Sequence, residues 1–316
     1  MSKRSRRGLL ALCAGIGLFA TACSSASTVS SGSATLSTGS FPTSISAANG
    51  TVHIKARPHA IVSLSPTATE MLYSIGAGKQ VKAVDKDSDY PKGAPRTSLD
   101  GFRPNVEAIV AYRPDLVVVS DDSAGLTSRL HGFGIPVLSL PPATGLSDVY
   151  REFGELGAAT GHVSAAAGEG AQVRAQLAQI VRAAPKSTPG QTYYYELDQT
   201  YFSVTSSTFI GKVLGLLGLR NIADAAPSAA TSGGYPQLSS EFVVQSNPDW
   251  VFLADTLCCG QSAHTVEARP GWSTVKAVEK GQVVGLSDDI ASRWGPRIVT
   301  LLQTVESALA SHRGRT

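Results

Sequence analysis

From residue 60 onward, short runs that are apolar on both faces alternate with amphipathic segments whose apolar positions recur every three or four residues. The first kind suits parallel strands covered on each side, and the second suits the helices that cover them. AIVSLS at 60–65 reads as a strand. Ser65-Pro66 then opens a helix over 67–75. Ser65 is its N-cap and Pro66 sits in the first turn, where a missing N–H costs nothing. Gly76-Ala77-Gly78 is a stop signal, and 81–84 is a second strand. It leads into Asp85-Lys86-Asp87-Ser88-Asp89-Tyr90-Pro91, a polar loop at a strand's carboxyl end, where open α/β sheets take their ligands.

One stretch of this pattern is written twice. NVEAIVAYRPDLVVVSD at 105–121 and SSEFVVQSNPDWVFLAD at 239–255 align at one constant offset. Glu107 falls on Glu241, Pro114 on Pro248, Asp115 on Asp249 and Asp121 on Asp255. Asn105 and Ser239 can accept from the free amides of a helix start, and a Glu beside them suits the helix dipole. Each proline stops its helix, and 116–119 and 250–253 are strands apolar on both faces. The pattern predicts an α/β protein of two similar lobes with central, mainly parallel sheets.

Between the copies, residues 162–184 carry Ala, Gln, Arg and Leu at helical spacing up to Pro185. About 22 residues at ~1.5 Å rise would reach ~33 Å, enough to cross both lobes. TYYYEL at 192–197 opens the second lobe as a strand; 206–217 reads as a helix ended by Gly218; 223–234 is small, polar and irregular. A strand at 282–286 matches 136–140 of the first lobe. Residues 297–311 close the chain as an amphipathic helix with Ile298, Leu301, Leu302, Val305 and Leu309 on one face.

Composition changes the picture mainly at the N-terminus. Much of the net charge of +3 sits in Lys3, Arg4, Arg6 and Arg7. No basic stripe interleaved with aromatics remains, which argues against nucleic acid as a partner. The basic cluster precedes an apolar run at 8–20, too short for a comfortable membrane span, and then FATAC ending at Cys23. Small residues before a cysteine resemble the lipobox of bacterial lipoproteins, in which that cysteine is diacylated. Residues 1–22 are therefore expected to be a lipoprotein signal peptide, with a weak resemblance to a twin-arginine signal. Residues 23–50, rich in Ser, Thr, Ala and Gly, are expected to be a flexible tether. The first lobe would then cover 51–160, the linking helix 161–186 and the second lobe 187–316.

Chemistry-bearing motifs are sparse. The chain has no G-x-S-x-G, H-E-x-x-H or G-x-x-x-x-G-K-[ST]. Asp85, Asp87 and Asp89 imitate the start of an EF-hand loop, but Tyr90 and Arg96 stand where Gly and Glu are needed. The six histidines are scattered, so no metal centre is expected. Of four cysteines, Cys13 leaves with the signal and Cys23 takes lipid, leaving Cys258 and Cys259. As neighbours in an exported protein they can close a vicinal disulfide and pin a tight turn.

The segments AIVSLSPTATEMLYSIGAGKQVKAVDKDSDYP, NVEAIVAYRPDLVVVSDD, GIPVLSLP, GYPQLSSEFVVQSNPDWVFLAD and RWGPRIVTLLQTV closely resemble the substrate-binding proteins of the iron-siderophore and cobalamin ABC importers. The resemblance covers nearly everything after residue 52, and among family members the cobalamin carriers look nearest. It implies two lobes joined by one long rigid helix, with the ligand in a shallow cleft between them. It implies no catalytic residues and no cofactor. The partners would be a permease with its ATPase and a small metal chelate, for an extracytoplasmic monomer that meets the membrane through its lipid alone. Carried onto this sequence, the cleft candidates are Ser65, Asp87, Tyr90, Phe102, Arg103, Asp121, Asp122, Tyr235, Asp288, Asp289, Arg293 and Trp294. Two places where cobalamin carriers hold aromatics read Asp87 and Asp100-Gly101 here. Glu107 and Glu241 match the surface glutamates that dock onto permease arginines, and two like carboxylates on two similar lobes suit a two-fold partner.

Clustered aspartates at strand ends would repel a highly anionic ferric tris-catecholate, while Arg103 and Arg293 offset only part of that charge. The expected ligand is a corrinoid; a ferric hydroxamate siderophore and haem are the alternatives within the class. A surface-tethered hydrolase is the alternative outside it.

Overall fold

The computed structural model describes residues 39–185 and 188–311. The signal-like segment, Cys13 and the lipobox Cys23 lie outside the described residues. A hairpin of β1 (Thr43–Ala47) and β2 (Gly50–Ile54) leads the fold, with Ile45, Val52 and Ile54 buried. Part of the stretch read as a tether is thus a strand. Ile45 is the one large apolar residue that its alternation turns inward.

The first lobe follows as β3 (Ile61–Leu64), α1 (Pro66–Ser74), β4 (Val81–Val84), α2 (Val106–Val110), β5 (Leu116–Val119), α3 (Leu126–His131) and β6 (Val137–Ser139). Next come α4 (Leu146–Thr160), which the pattern reading does not single out, and α5 (Val163–Ala183), a helix of 21 residues that leads into the second lobe. That lobe comprises β7 (Thr192–Glu196), α6 (Phe209–Gly215), β8 (Arg220–Asn221), α7 (Ser240–Ser246), β9 (Trp250–Leu253), α8 (Thr256–Cys259), α9 (Ala263–Glu267), α10 (Lys276–Glu279), β10 (Val283–Gly285), α11 (Asp288–Ser292) and α12 (Ile298–Ser311). The helix expected over 206–217 is shorter. Thr208 caps it by accepting from the Gly211 amide, and the two-residue β8 was hidden in a segment with no strand pattern of its own.

Each lobe holds one four-stranded sheet, ordered β4-β3-β5-β6 and β8-β7-β9-β10. Every pairing in both is parallel. Numbered within its lobe, each sheet reads second, first, third, fourth, so the order reverses between the first and third strands. The repeat accounts for much of this likeness. Asn105 accepts from the Ala108 amide and Ser239 from the Phe242 amide, each starting its short helix. Arg113 and Asn247 end the helical turns in left-handed backbone, at φ 48° and 46°. The aspartates after the prolines then staple the neighbouring strand. Asp115 accepts from the amides of His59 and Ala60 at 2.7 and 2.9 Å, just ahead of β3. Asp249 accepts from the amide and hydroxyl of Thr192 at 2.9 and 3.0 Å, at the head of β7.

Three apolar clusters cover the sheets. One lies on the outer face of the first sheet with α2 and α3, and one on the outer face of the second with Trp272 and Val243. The third is continuous across both lobes. It joins Ile61, Val118, Tyr195 and Phe252 of the sheets to Met71 of α1, Phe153 of α4, Val173 of α5 and Leu302 of α12. Gly157 lets α4 and α5 meet, since a Cβ there would stand 2.5 Å from the Ala166 side chain.

The staples are charge-assisted and set the height of the central strands. Asp249→Ala is expected to cost ~1–3 kcal/mol in chemical denaturation. Lys276, whose ammonium lies 3.8 Å from the same carboxylate, can be changed to Ala with less effect, because that pair is solvent-exposed.

Candidate functional site

The carboxyl end of the β10 segment in the second lobe meets the carboxyl end of β4 in the first, and a buried ion cluster joins them. Arg293, just past α11, donates to Glu70 of α1 at 3.0 Å, to Asp89 at 3.0 Å and to the Asp87 carbonyl at 2.9 Å. It also donates to Asp289 of its own lobe at 2.7 Å. Arg297 completes the grip on Glu70 with Nε 3.0 Å from Oε2, and its guanidinium lies 4.3 Å over the Tyr90 ring. The Glu70 carboxylate has no exposed surface. Beside this cluster, the Trp294 indole N–H donates to Glu152 of α4 at 2.8 Å.

Several sequence-expected cleft residues therefore have their polar atoms engaged within the protein. Ser65 is buried and its hydroxyl accepts from the Ala68 amide. Asp288 accepts from the amides of Leu257 and Cys258 at 2.9 and 2.7 Å and from the Thr256 hydroxyl, capping α8. Asp289 and Arg293 belong to the ion cluster, and Trp294 is half-buried against the shared core. Of the aspartates expected to fill the cleft with negative charge, Asp89 and Asp289 share Arg293, and Asp288 is absorbed by a helix start.

Other candidates stay open to solvent at the strand ends. Asp87 and Asp121 are exposed; Asp121 accepts from the Ser123 hydroxyl, and Asp122 accepts from the Thr127 amide. Tyr90 is 45% exposed and Phe102 81%. Asp100 fixes the Phe102 turn by accepting from the amides of Phe102 and Arg103. Lys86 at 2.8 Å, together with those amides, holds the Asp100 carboxyl down at about 2. Gly101 is obligatory there: a Cβ would stand 2.5 Å from the Leu64 carbonyl oxygen at the end of β3. No side chain can occupy that place, and the Phe102 ring is displayed one residue later. Arg103 is exposed beside Asp100. On the second lobe Tyr235 is 52% exposed. It lies on a segment whose flanking carbonyls, of Gly234 and Pro236, accept from Thr205 and Ser203 beyond β7.

Sequence reasoning missed Phe202 and Leu257, exposed apolar residues just beyond the carboxyl ends of β7 and β9. Their position immediately after predicted strands was the available signal. It also missed Glu70 and Arg297, since nothing local announces a partner more than two hundred residues away.

The repeat diverges at its last residue. Asp121 is exposed, whereas Asp255 is fully buried with neither oxygen hydrogen-bonded. Burial, and then the charge of Glu196, push the Asp255 carboxyl up to about 7. Glu196 itself is held by Arg269 through paired 2.6 Å bonds. Cys258 and Cys259 are joined in a disulfide on exposed α8. Glu107 and Glu241 are exposed in the first turns of α2 and α7. No cluster of side chains able to hold a metal ion occurs among the described residues.

Two α/β lobes thus share one core, and the segment after β10 meets the loop after β4 at the carboxyl ends of their parallel strands. The periplasmic binding protein family model matches residues 61–290, and the chain belongs to that family. It is 32% identical over 279 residues to a cobalamin-binding protein of Halobacterium salinarum, covering 85% of this chain and 74% of that one. It is 30% identical over 269 residues to the uncharacterized ABC transporter substrate-binding lipoprotein YvrC of Bacillus subtilis, covering 82% of each. The crystal structure of the periplasmic vitamin B12 binding protein BtuF of Vibrio cholerae superposes with a TM-score of 0.67 at 22% identity, over 81% of this chain and 98% of that one.

Burial pushes the Glu152 carboxyl up to about 7, against the pull of the Trp294 N–H. An unfolded glutamate titrates near ~4.3, so the folded state holds the extra proton between those values. Its contribution to stability is fully present below the lower value and is lost as pH rises through the upper. Glu152→Gln keeps an acceptor for Trp294. It is expected to match the parent near pH 4 and exceed it by ~1–3 kcal/mol at pH 8, read from thermal melts across that range.

Proposed function

We propose that this chain is the capture component of an ABC importer, taking a corrinoid between its lobes and presenting it to a permease. The observation that carries the reading is the set of apolar side chains left exposed at the facing strand ends: Tyr90 and Phe102 on one lobe, Phe202, Tyr235 and Leu257 on the other. Apolar residues scattered singly over a surface are ordinary, but these five lie on the segments that follow the carboxyl ends of parallel strands, where α/β sheets take their ligands. The relative named as cobalamin-binding supports a corrin as the guest. The charge left free agrees: Asp87, Asp121 and Asp122 against Arg103 disfavour a polyanionic catecholate chelate.

Binding needs no chemistry on the ligand, and the chain is read as a carrier that is not an enzyme. Cys23 would carry the lipid, the Ser- and Thr-rich stretch after it would tether the fold to the membrane, and the monomer would work outside the cytoplasm. Glu107 and Glu241, at matched places on matched lobes, would meet cationic side chains of a two-fold permease.

A thermal-shift panel of cobalamin, cobinamide, ferrioxamine, ferrichrome and haem tests the ligand. A true guest at about 100 times its Kd should add ~2.7 kcal/mol of stability, and the corrinoids are expected to do so. A shift with a hydroxamate or haem alone would replace the corrinoid. No shift with any member would remove the carrier reading. Glu107→Arg combined with Glu241→Arg is expected to leave that shift intact while abolishing uptake in cells.

A further inference from the structure

Leu257, Cys258 and Cys259 stand out on the second lobe because an apolar surface knob is held from beneath by unusual means. Leu257 is 68% exposed, and both cysteines are exposed as well. The peptide carrying them is not loose. One carboxylate, Asp288, takes the amides of Leu257 and Cys258, while the Thr256 hydroxyl donates to the Leu286 carbonyl at 2.6 Å. The Cys258–Cys259 disulfide closes the turn covalently. An anion site at this helix start is ruled out by the same geometry, since Asp288 already fills it.

The knob's address is the third strand of the second sheet, whose order reverses between β7 and β9. The crevice at such a reversal, outside the carboxyl ends of the strands, is where α/β sheets receive ligands. It also adjoins the junction of the lobes. Asp288 and Asp289 are neighbours on α11; one clamps the knob and the other binds Arg293, which reaches the first lobe. A rigid display costs less ordering on binding than a mobile one.

We infer that Leu257 and the Cys258–Cys259 disulfide form a preorganised apolar contact for the face of a corrin-sized metal chelate, on the opposite lobe from Phe102. The inference rests on the carrier function proposed above. The disulfide's part is to fix the turn and to present polarisable sulfur, without being consumed.

The test is isothermal titration of the wild-type protein with cobalamin and cobinamide, followed by Leu257→Ala, the double variant C258S/C259S and Phe133→Ala. Phe133 is an exposed ring in the turn between α3 and the amino end of β6, whereas the proposed contacts follow the carboxyl ends of strands. Leu257→Ala and C258S/C259S are expected to weaken binding about 5- to 20-fold through lost apolar contact, with Phe133→Ala unchanged. Hydrogen exchange of the wild-type peptide spanning 256–260 should slow on adding ligand, a readout that no variant's folding can disturb. Wild-type binding with full affinity in both knob variants and no exchange protection would overturn this contact while leaving the carrier function standing. Failure of the wild type to bind either corrinoid would overturn both.

Discussion

A carboxylate with no exposed surface must be neutralised where it sits, and Glu70 is neutralised from the other half of the molecule. Its partners, Arg293 and Arg297, are contributed by the last segment of the chain. Removing one member of a buried pair leaves an uncompensated charge, which costs ~3–5 kcal/mol. The lobes are therefore tied at one place by an interaction that cannot loosen gradually. The rest of the arrangement follows from that tie. The Asp87 carbonyl and the Asp89 carboxylate of the first lobe both accept from Arg293, and α11 is fixed against them. Through Asp288, α11 in turn fixes the exposed tip of α8.

The shared core acts in the same direction. One apolar cluster runs through both sheets, α1, α4, α5 and α12, so parting the lobes would expose packed surface as well as charge. α5 crosses between the lobes without a break, and a single continuous helix offers little hinge. The cleft proposed between them would be largely preformed, with its selectivity in the side chains displayed at its rim. Glu152 and Asp255 are both buried carboxyls made weaker acids by desolvation, and a proton on each relieves what burial imposes.

The repeated stretch underlies the likeness of the halves, and its departures fall at the strand ends. The two helix starts, the left-handed residues and the stapling aspartates are the same in both lobes, because they set the height of the central strands. The ends of those strands differ. The first lobe shows Asp121 to solvent, and the second buries Asp255 and raises a disulfide-closed apolar tip instead.

The sequence by itself determined the local and periodic features. Runs apolar on both faces marked the parallel strands, Pro-Asp marked the stops, and the repeat marked two lobes of one design. Each of those signals is carried by residues within a few positions of one another. Tertiary structure alone decided which polar side chains remain free. Arg293, Trp294 and Asp288 look like ligand contacts in sequence. Their partners lie on α1, α4 and α8 and on the loop after β4, tens to hundreds of residues away. The same distance hid Gly101, whose need for a bare Cα comes from the Leu64 carbonyl pressed against it. A charge or an aromatic ring can be read from the chain, but whether it faces ligand or protein depends on what the fold brings beside it.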